Sequence, residues 1–230
     1  MTLSGPPETL FVNSSTSDSQ NFSLKTGDHC MIFGCNINST MRIIAGKKRG
    51  MKLLSPKSDV SRPITDRVKE SLFSVLYNYN LPKGTIVADL FCGVGSLGIE
   101  SLSRGAEFVT FVEKDPKVIA ILKKNVDKAG FGDVSKIVRA DAFKIGAPIG
   151  QRRYDLIFVD PPYAATKNAD NNSALSELLS LVNNQLADGG IVVVRAHRDT
   201  ELLEHYGRLK NIERRQWGTM AVTILGQKSE

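Results

Sequence analysis

The sequence is short of cysteine, of aromatic residues and of long apolar runs. Its 230 residues contain three cysteines, Cys30, Cys35 and Cys92. An odd trio without a second metal-type pair argues against a disulfide framework or a zinc site and suits a reducing compartment. No window approaches the ~18 consecutive apolar residues of a membrane-spanning helix. The best runs, such as residues 191–194, are short and end in charge. The first forty residues have no basic start followed by an apolar stretch, and they carry one lysine and no arginine. Neither a secretory signal nor a transit peptide is expected there. Sixteen of those forty are Ser, Thr or Asn, and the apolar patches at 10–12 and 31–33 keep no period. Such a stretch does not offset its own ordering entropy. It is read as a disordered tail, or as the product of a start codon placed ahead of Met41.

What is present suffices for a core. Hydrophobic residues make up 41% and charged ones 23%, with 19 glycines and 9 prolines, which fits one α/β domain with a small appendage and excludes collagen-like or coiled-coil readings. The net charge is +6, and it is uneven. Residues 41–69 hold nine basic side chains against Asp59 and Asp66, so that segment alone is +7 and the remainder −1. A basic module on a near-neutral body points to a polyanion, nucleic acid first, although lysine-rich hairpins are often only solvated surface.

Three segments are expected: a tail over 1–40, a basic hairpin and helix over 41–83, and an α/β domain over 84–230. Short apolar stretches at 41–45 and 51–54 flank Gly46-Lys47-Lys48-Arg49-Gly50, the pattern of a hairpin. Thr65 or Asp66 caps a helix whose apolar face is Val68, Leu72, Val75, Leu76 and Tyr79. Beyond Gly84 strands are expected at 86–91, 108–113, 134–139, 154–160 and 191–196, with helices at 97–103, from 116 to Gly130 and at 174–186. A closing hairpin is expected around Gly218. Strands separated by helices argue for a parallel sheet covered on both faces, with ligands beyond the carboxyl ends of the strands.

Those ends carry the chemistry. Asp89-Leu90-Phe91-Cys92-Gly93-Val94-Gly95-Ser96-Leu97-Gly98 closes the first strand, and Glu113 lies twenty residues after Gly93. The spacing matches a dinucleotide fingerprint, but a carboxylate at position 89 would repel a pyrophosphate. It favours a ligand with positive charge, such as the ammonium and sulfonium of S-adenosylmethionine. Glu113 suits a pair of ribose hydroxyls. Asp141 suits an adenine amino group, with Phe143 available for stacking. Each acid alone is more often a cap or a turn former; three on successive strand ends are harder to dismiss. Asp160-Pro161-Pro162-Tyr163 follows the fourth strand. Its prolines lack N–H donors, leaving carbonyls to accept. An acid, a bare carbonyl and an aromatic ring suit a planar amino group, whose lone pair they can redirect toward a methyl donor.

Together with Met41-Arg42-Ile43-Ile44-Ala45-Gly46 and the stretch from Arg62-Pro63-Ile64-Thr65-Asp66-Arg67 to Phe73, these motifs resemble the bacterial small-subunit ribosomal RNA guanine-N2 methyltransferase family, RsmD, from about residue 41 to 225. The resemblance implies a Rossmann-like class I methyltransferase with a seven-stranded, mostly parallel sheet whose last strand is antiparallel, plus the N-terminal hairpin and helix. It implies methyl transfer from S-adenosylmethionine, leaving S-adenosylhomocysteine, to N2 of a guanine in 16S rRNA within a small-subunit particle. By matching position, Asp160, Pro161 and Tyr163 form the catalytic set. Asp89, Phe91, Gly93, Gly95, Glu113, Lys114, Asp141 and Ala142 line the cofactor site, with Arg62 and Thr65 near its methionine end. Arg42, Lys47, Lys48, Arg49 and Arg67 are expected RNA contacts, with a monomer in the cytoplasm, no membrane and no metal. Rivals are a DNA or RNA adenine-N6 methyltransferase sharing Asp-Pro-Pro-Tyr, a release-factor glutamine methyltransferase, disfavoured because that class has Asn where Asp160 stands, and a non-catalytic RNA-binding protein on a relic fold.

Overall fold

A computed structural model of the chain describes residues 41–56, 64–148, 150 and 152–227. The expected tail over 1–40 and Arg62 lie outside the described residues. The strands are β1 (Ile86–Leu90), β2 (Phe108–Glu113), β3 (Ser135–Arg139), β4 (Tyr154–Val159), β5 (Leu186–His197), β6 (His205–Tyr206), β7 (Leu209–Trp217) and β8 (Met220–Gln227). The helices are α1 (Asp66–Tyr77), α2 (Ser96–Ser103), α3 (Pro116–Ala129), α4 (Ala142–Ile145), α5 (Tyr163–Thr166) and α6 (Ala174–Asn183).

Local chemistry explains most of these boundaries. The Thr65 side chain accepts from the Val68 N–H and starts α1. Asp115 accepts from the Lys117 N–H, Pro116 opens α3, and Gly130 closes it at φ +69°, where a residue without Cβ is preferred. The helix expected to run to 186 stops at Asn183, and β5 begins at Leu186. Between them the Gln185 carbonyl accepts from the Tyr154 N–H. The Gln185 side chain accepts from the Ala147 N–H and donates to the Ile145 carbonyl. Those tertiary bonds end the helix, and they are invisible in the apolar periodicity.

The sheet order is β3-β2-β1-β4-β5-β8-β7-β6. Strands β3, β2, β1, β4 and β5 are mutually parallel. Strand β8 inserts antiparallel between β5 and β7. The sheet has eight strands where seven were expected; the addition is the two-residue edge strand β6, paired with β7. Side chains alternate between two cores. Val87, Leu156 and Phe158 face α1, α2 and α3 with Leu72, Phe73 and Leu122. Ala88, Ile157 and Val159 face α6 with Leu178 and Val182.

The segment over 41–54 is a hairpin with one antiparallel bridge, Arg42 to Lys52, and a 3-10 turn at Gly46–Lys48. It lies on α2 and α3. Buried Glu100 accepts from the Ile44 and Ala45 N–H groups, and Asn125 both accepts from and donates to the Leu54 backbone. Lys69, buried on α1, donates to the Arg42 carbonyl at 2.7 Å and to the Ser96 hydroxyl at 3.2 Å, with Glu100 3.6 Å away. A buried ammonium needs such partners. Here they join the hairpin to the start of α2.

Candidate active site

Strand order reverses between β1 and β4, which are adjacent with Leu90 opposite Val159. The side-by-side ends of these strands form the crevice where doubly wound sheets take ligands. Asp89 is the penultimate residue of β1 and Asp160 follows β4. Asp89 is 1% exposed and accepts from the Gly98 N–H at 2.8 Å. Burial pushes its carboxyl up to about 7, and the neighbouring charges of Asp160 and Glu113 push the same way. Asp89 thus feels the charge of both other acids.

The turn after β1 is shaped by its neighbours. Gly95 has φ +87°, and a Cβ there would stand 2.5 Å from Leu122 Cδ1. A Cβ on Gly93 would meet nothing within 4 Å, so that side of the turn is open. One Glu113 oxygen accepts from the Gly93 N–H at 3.1 Å, the other from the Lys114 and Asp115 N–H groups. Phe91 adopts φ +57°, a conformation costly for a residue with Cβ, and its ring packs on Phe143 with centroids 4.8 Å apart. Asp141 caps α4 by accepting from the Phe143 N–H, so the bland reading of a lone strand-end acid also holds here. Ala142 is buried behind it. The Cys92 thiol is buried and pushed well up, by burial first and by Asp89 and Glu113 next. That is the state of a packing residue rather than a nucleophile.

Beside this turn stand Asp160, the buried Pro161 and Tyr163, whose ring meets that of His197 edge-on at 5.8 Å. Burial raises the Asp160 carboxyl, and Arg195 opposes the rise. Arg195 Nε donates to Asp160 Oδ1 at 2.5 Å. Sequence reasoning missed Arg195. The available signal was the charge that ends the apolar run 191–194 on the strand next to Asp160. Thr65 lies one helical turn before Lys69, which bonds Ser96, so the start of α1 stands near the glycine turn. Arg42 pairs with Asp66 at 2.6 Å, and Arg67 is exposed. The tip carrying Lys47, Lys48 and Arg49 abuts Ser103. It therefore lies one length of α2, roughly 12 Å, from the glycine turn. A cavity of about 540 Å³ lies at the amino ends of β4 and β5, lined by Arg152, Arg153, Asp155, Asp188 and Arg208. It lies away from this chemistry, and Arg152 is already paired with Glu107.

The residues fit a cationic methyl donor. A pyrophosphate would face the Asp89 and Glu113 carboxylates, whereas positive charge would relieve the repulsion between them, and the open side of Gly93 leaves room at the turn. The antiparallel β8, inserted between β5 and β7, also separates the fold from all-parallel dinucleotide binders. Sheet and site together define a class I methyltransferase, with S-adenosylmethionine as methyl donor.

The chain belongs to the RsmD family, whose model, described as "Conserved hypothetical protein 95", matches residues 41–226. It is 36% identical over 170 residues to the ribosomal RNA small subunit methyltransferase D of Haemophilus influenzae, covering 73% of this chain and 84% of that protein. The Escherichia coli protein of the same name is 35% identical over 164 residues, covering 70% and 77%. Among solved structures, a hypothetical protein of Thermus thermophilus superposes with TM-score 0.62 at 30% identity, covering 80% of this chain and 97% of that one.

Proposed function

We propose that this chain methylates the exocyclic N2 amine of a guanine in 16S rRNA, acting as a cytoplasmic monomer on a small-subunit particle. The reading is carried by Asp160 and the Pro161 carbonyl, two acceptors at the strand end beside the cofactor turn. When bound, S-adenosylmethionine supplies an electrophilic methyl group. Asp89, Phe91, Gly93, Gly95, Glu113, Lys114, Asp141 and Ala142 hold it, with Thr65 at its methionine end.

The guanine amine is a poor nucleophile because its lone pair is delocalised into the ring. By accepting its two N–H bonds, Asp160 and Pro161 favour a pyramidal nitrogen whose lone pair faces the methyl. Tyr163 stacks on the base. As the new N–C bond forms, the methyl would part from the sulfonium sulfur, leaving the neutral thioether of S-adenosylhomocysteine; the nitrogen becomes acidic and Asp160 takes its proton. Most of the acceleration comes from alignment, worth roughly 7–11 kcal/mol in well-oriented systems. The base must leave its stack to enter, which is cheapest in a loop or bulge. Arg42, Lys47, Lys48, Arg49 and Arg67 contact the RNA backbone, the tip residues engaging it one helix length from the chemistry.

The test is transfer of labelled methyl to small subunits from cells lacking the activity, followed by nucleoside analysis. N2-methylguanosine is expected. N6-methyladenosine, or no transfer, would overturn the assignment.

A further inference from the structure

The strand-end acids are held in two different ways. Asp89 accepts from the Gly98 N–H, Glu113 from the N–H groups of Gly93, Lys114 and Asp115, and Asp141 from that of Phe143. For Asp89, Glu113 and Asp141 the backbone sets the orientation of the carboxyl group. Asp160 is followed by Pro161 and Pro162, which have no N–H to offer. Among the described residues the only hydrogen bond to its side chain comes from Arg195 Nε.

Arg195 is well fixed for that task. Val159 of β4 lies opposite Val194 of the parallel β5, so Asp160, just beyond β4, is next in register to Arg195 of β5. On its other side Arg195 pairs with Val222 of the antiparallel β8. The two side chains are 18% and 16% exposed. Nε engages Oδ1 alone, leaving Oδ2 uncommitted among the described residues.

We propose that Arg195 is the positioning residue of the transfer: it grips Oδ1 of Asp160 and so aims Oδ2, with the Pro161 carbonyl, at the substrate amine. This deepens the functional reading above and rests on its placing of Asp160 as the amine acceptor. The pair also has a charge consequence. The charged and titratable groups around Asp160 are Asp89 at the end of β1, Glu113 beyond it on β2, Arg195 on β5, and Tyr163 with its neighbour His197. Burial drives the Asp160 carboxyl upward and the guanidinium draws it down. Without Arg195 the upward push is unopposed, and Asp160 keeps its proton to higher pH.

The experiment compares wild type, Arg195→Met, Arg195→Gln and Arg195→Lys in methyl transfer to unmodified small subunits across pH, with S-adenosylmethionine affinity measured by calorimetry. In Arg195→Met, kcat near neutral pH is expected to fall on the order of 100-fold, the scale of a misplaced reacting group. Its acid limb should move up by about one pH unit or more, the effect of losing an adjacent opposite charge, while cofactor affinity stays within a few-fold. Lys restores part of both losses. Gln, a neutral donor, restores part of kcat but leaves the limb displaced. A wild-type profile in Arg195→Met overturns the proposal. So does a loss uniform across pH that neither Lys nor Gln relieves, which would mark a structural role only. Failure of the wild type to form N2-methylguanosine would instead sink the functional reading and is scored separately.

Discussion

Asp89 carries a conflict between stability and function. Its carboxyl titrates near 7 in the folded protein against 3.8 for the free group. Between those values the folded state keeps a proton that the unfolded chain has lost, so stability falls as pH rises through that window. Asp89→Asn removes the ionisation while its amide oxygen can still accept from the Gly98 N–H. The ligand-free variant should gain on the order of 1–3 kcal/mol over wild type at about pH 8, with little or no gain at about pH 4, and it should bind S-adenosylmethionine more weakly. Denaturant unfolding at the two pH values checks this; an unchanged difference between the proteins would contradict it. At this scale residue identities and approximate places were readable: an acid at a strand end, a proline pair, a glycine turn. The partners were not. Glu113 bonding the Gly93 N–H and Arg195 bonding Asp160 each join a strand residue to a turn beyond another strand, and no local pattern encodes such pairs.

At the scale of elements, α2 sits against β2 because Gly98 permits it. A Cβ there would lie 2.3 Å from Phe111 Cε1 and 2.9 Å from Val109 Cγ1. Gly98→Ala is expected to cost about 1–3 kcal/mol, the usual penalty for overfilling a packed core. Gly93→Ala, with open space around the new methyl but φ +54°, should cost only about 1–2 kcal/mol of backbone strain and act mainly on cofactor affinity. Unfolding and binding titrations of the two variants separate these effects; cofactor affinity weakened as much by Gly98→Ala as by Gly93→Ala would refute the distinction. Elements with strong period or caps were legible. Strand β2 matches its expected bounds, and α3 begins and ends at the expected Asp115 and Gly130. Elements defined by tertiary bonds were not. The two-residue β6, the four-residue α4 and α5, and the early start of β5 have too few residues to show a period.

For the molecule as a whole, the hairpin is fastened to the core through backbone groups and buried residues. Of its basic tip side chains only Lys48 reaches the body among the described residues, its Nζ 5.9 Å from the centre of the Phe131 ring, so the tip can change with little loosening of the hairpin. The Lys48 N–H donates to the Ser103 hydroxyl, and the Ile44 and Ala45 N–H groups to Glu100. Replacing Lys47, Lys48 and Arg49 together with alanine should leave the fold intact and weaken RNA binding. Each single-strand phosphate contact removed lowers the log–log salt slope by about 0.7, so three removed lower it by about 2. Filter binding of small-subunit RNA over a range of salt measures it, and an unchanged slope would disprove the tip's role. The charge asymmetry that suggested a polyanion was visible in composition. The tip's distance from the reacting end was not, because it depends on how the hairpin lies along α2.

The central claim is that Asp160 acts on the amine and not on the donor, and single-turnover methyl transfer by Asp160→Asn, run beside calorimetric titration with S-adenosylmethionine, tests it most directly. Transfer should fall by about 10²–10⁴-fold, the range for loss of a positioned proton acceptor, with cofactor affinity held within a few-fold. Near-normal transfer, or a matching collapse of cofactor binding, would contradict it.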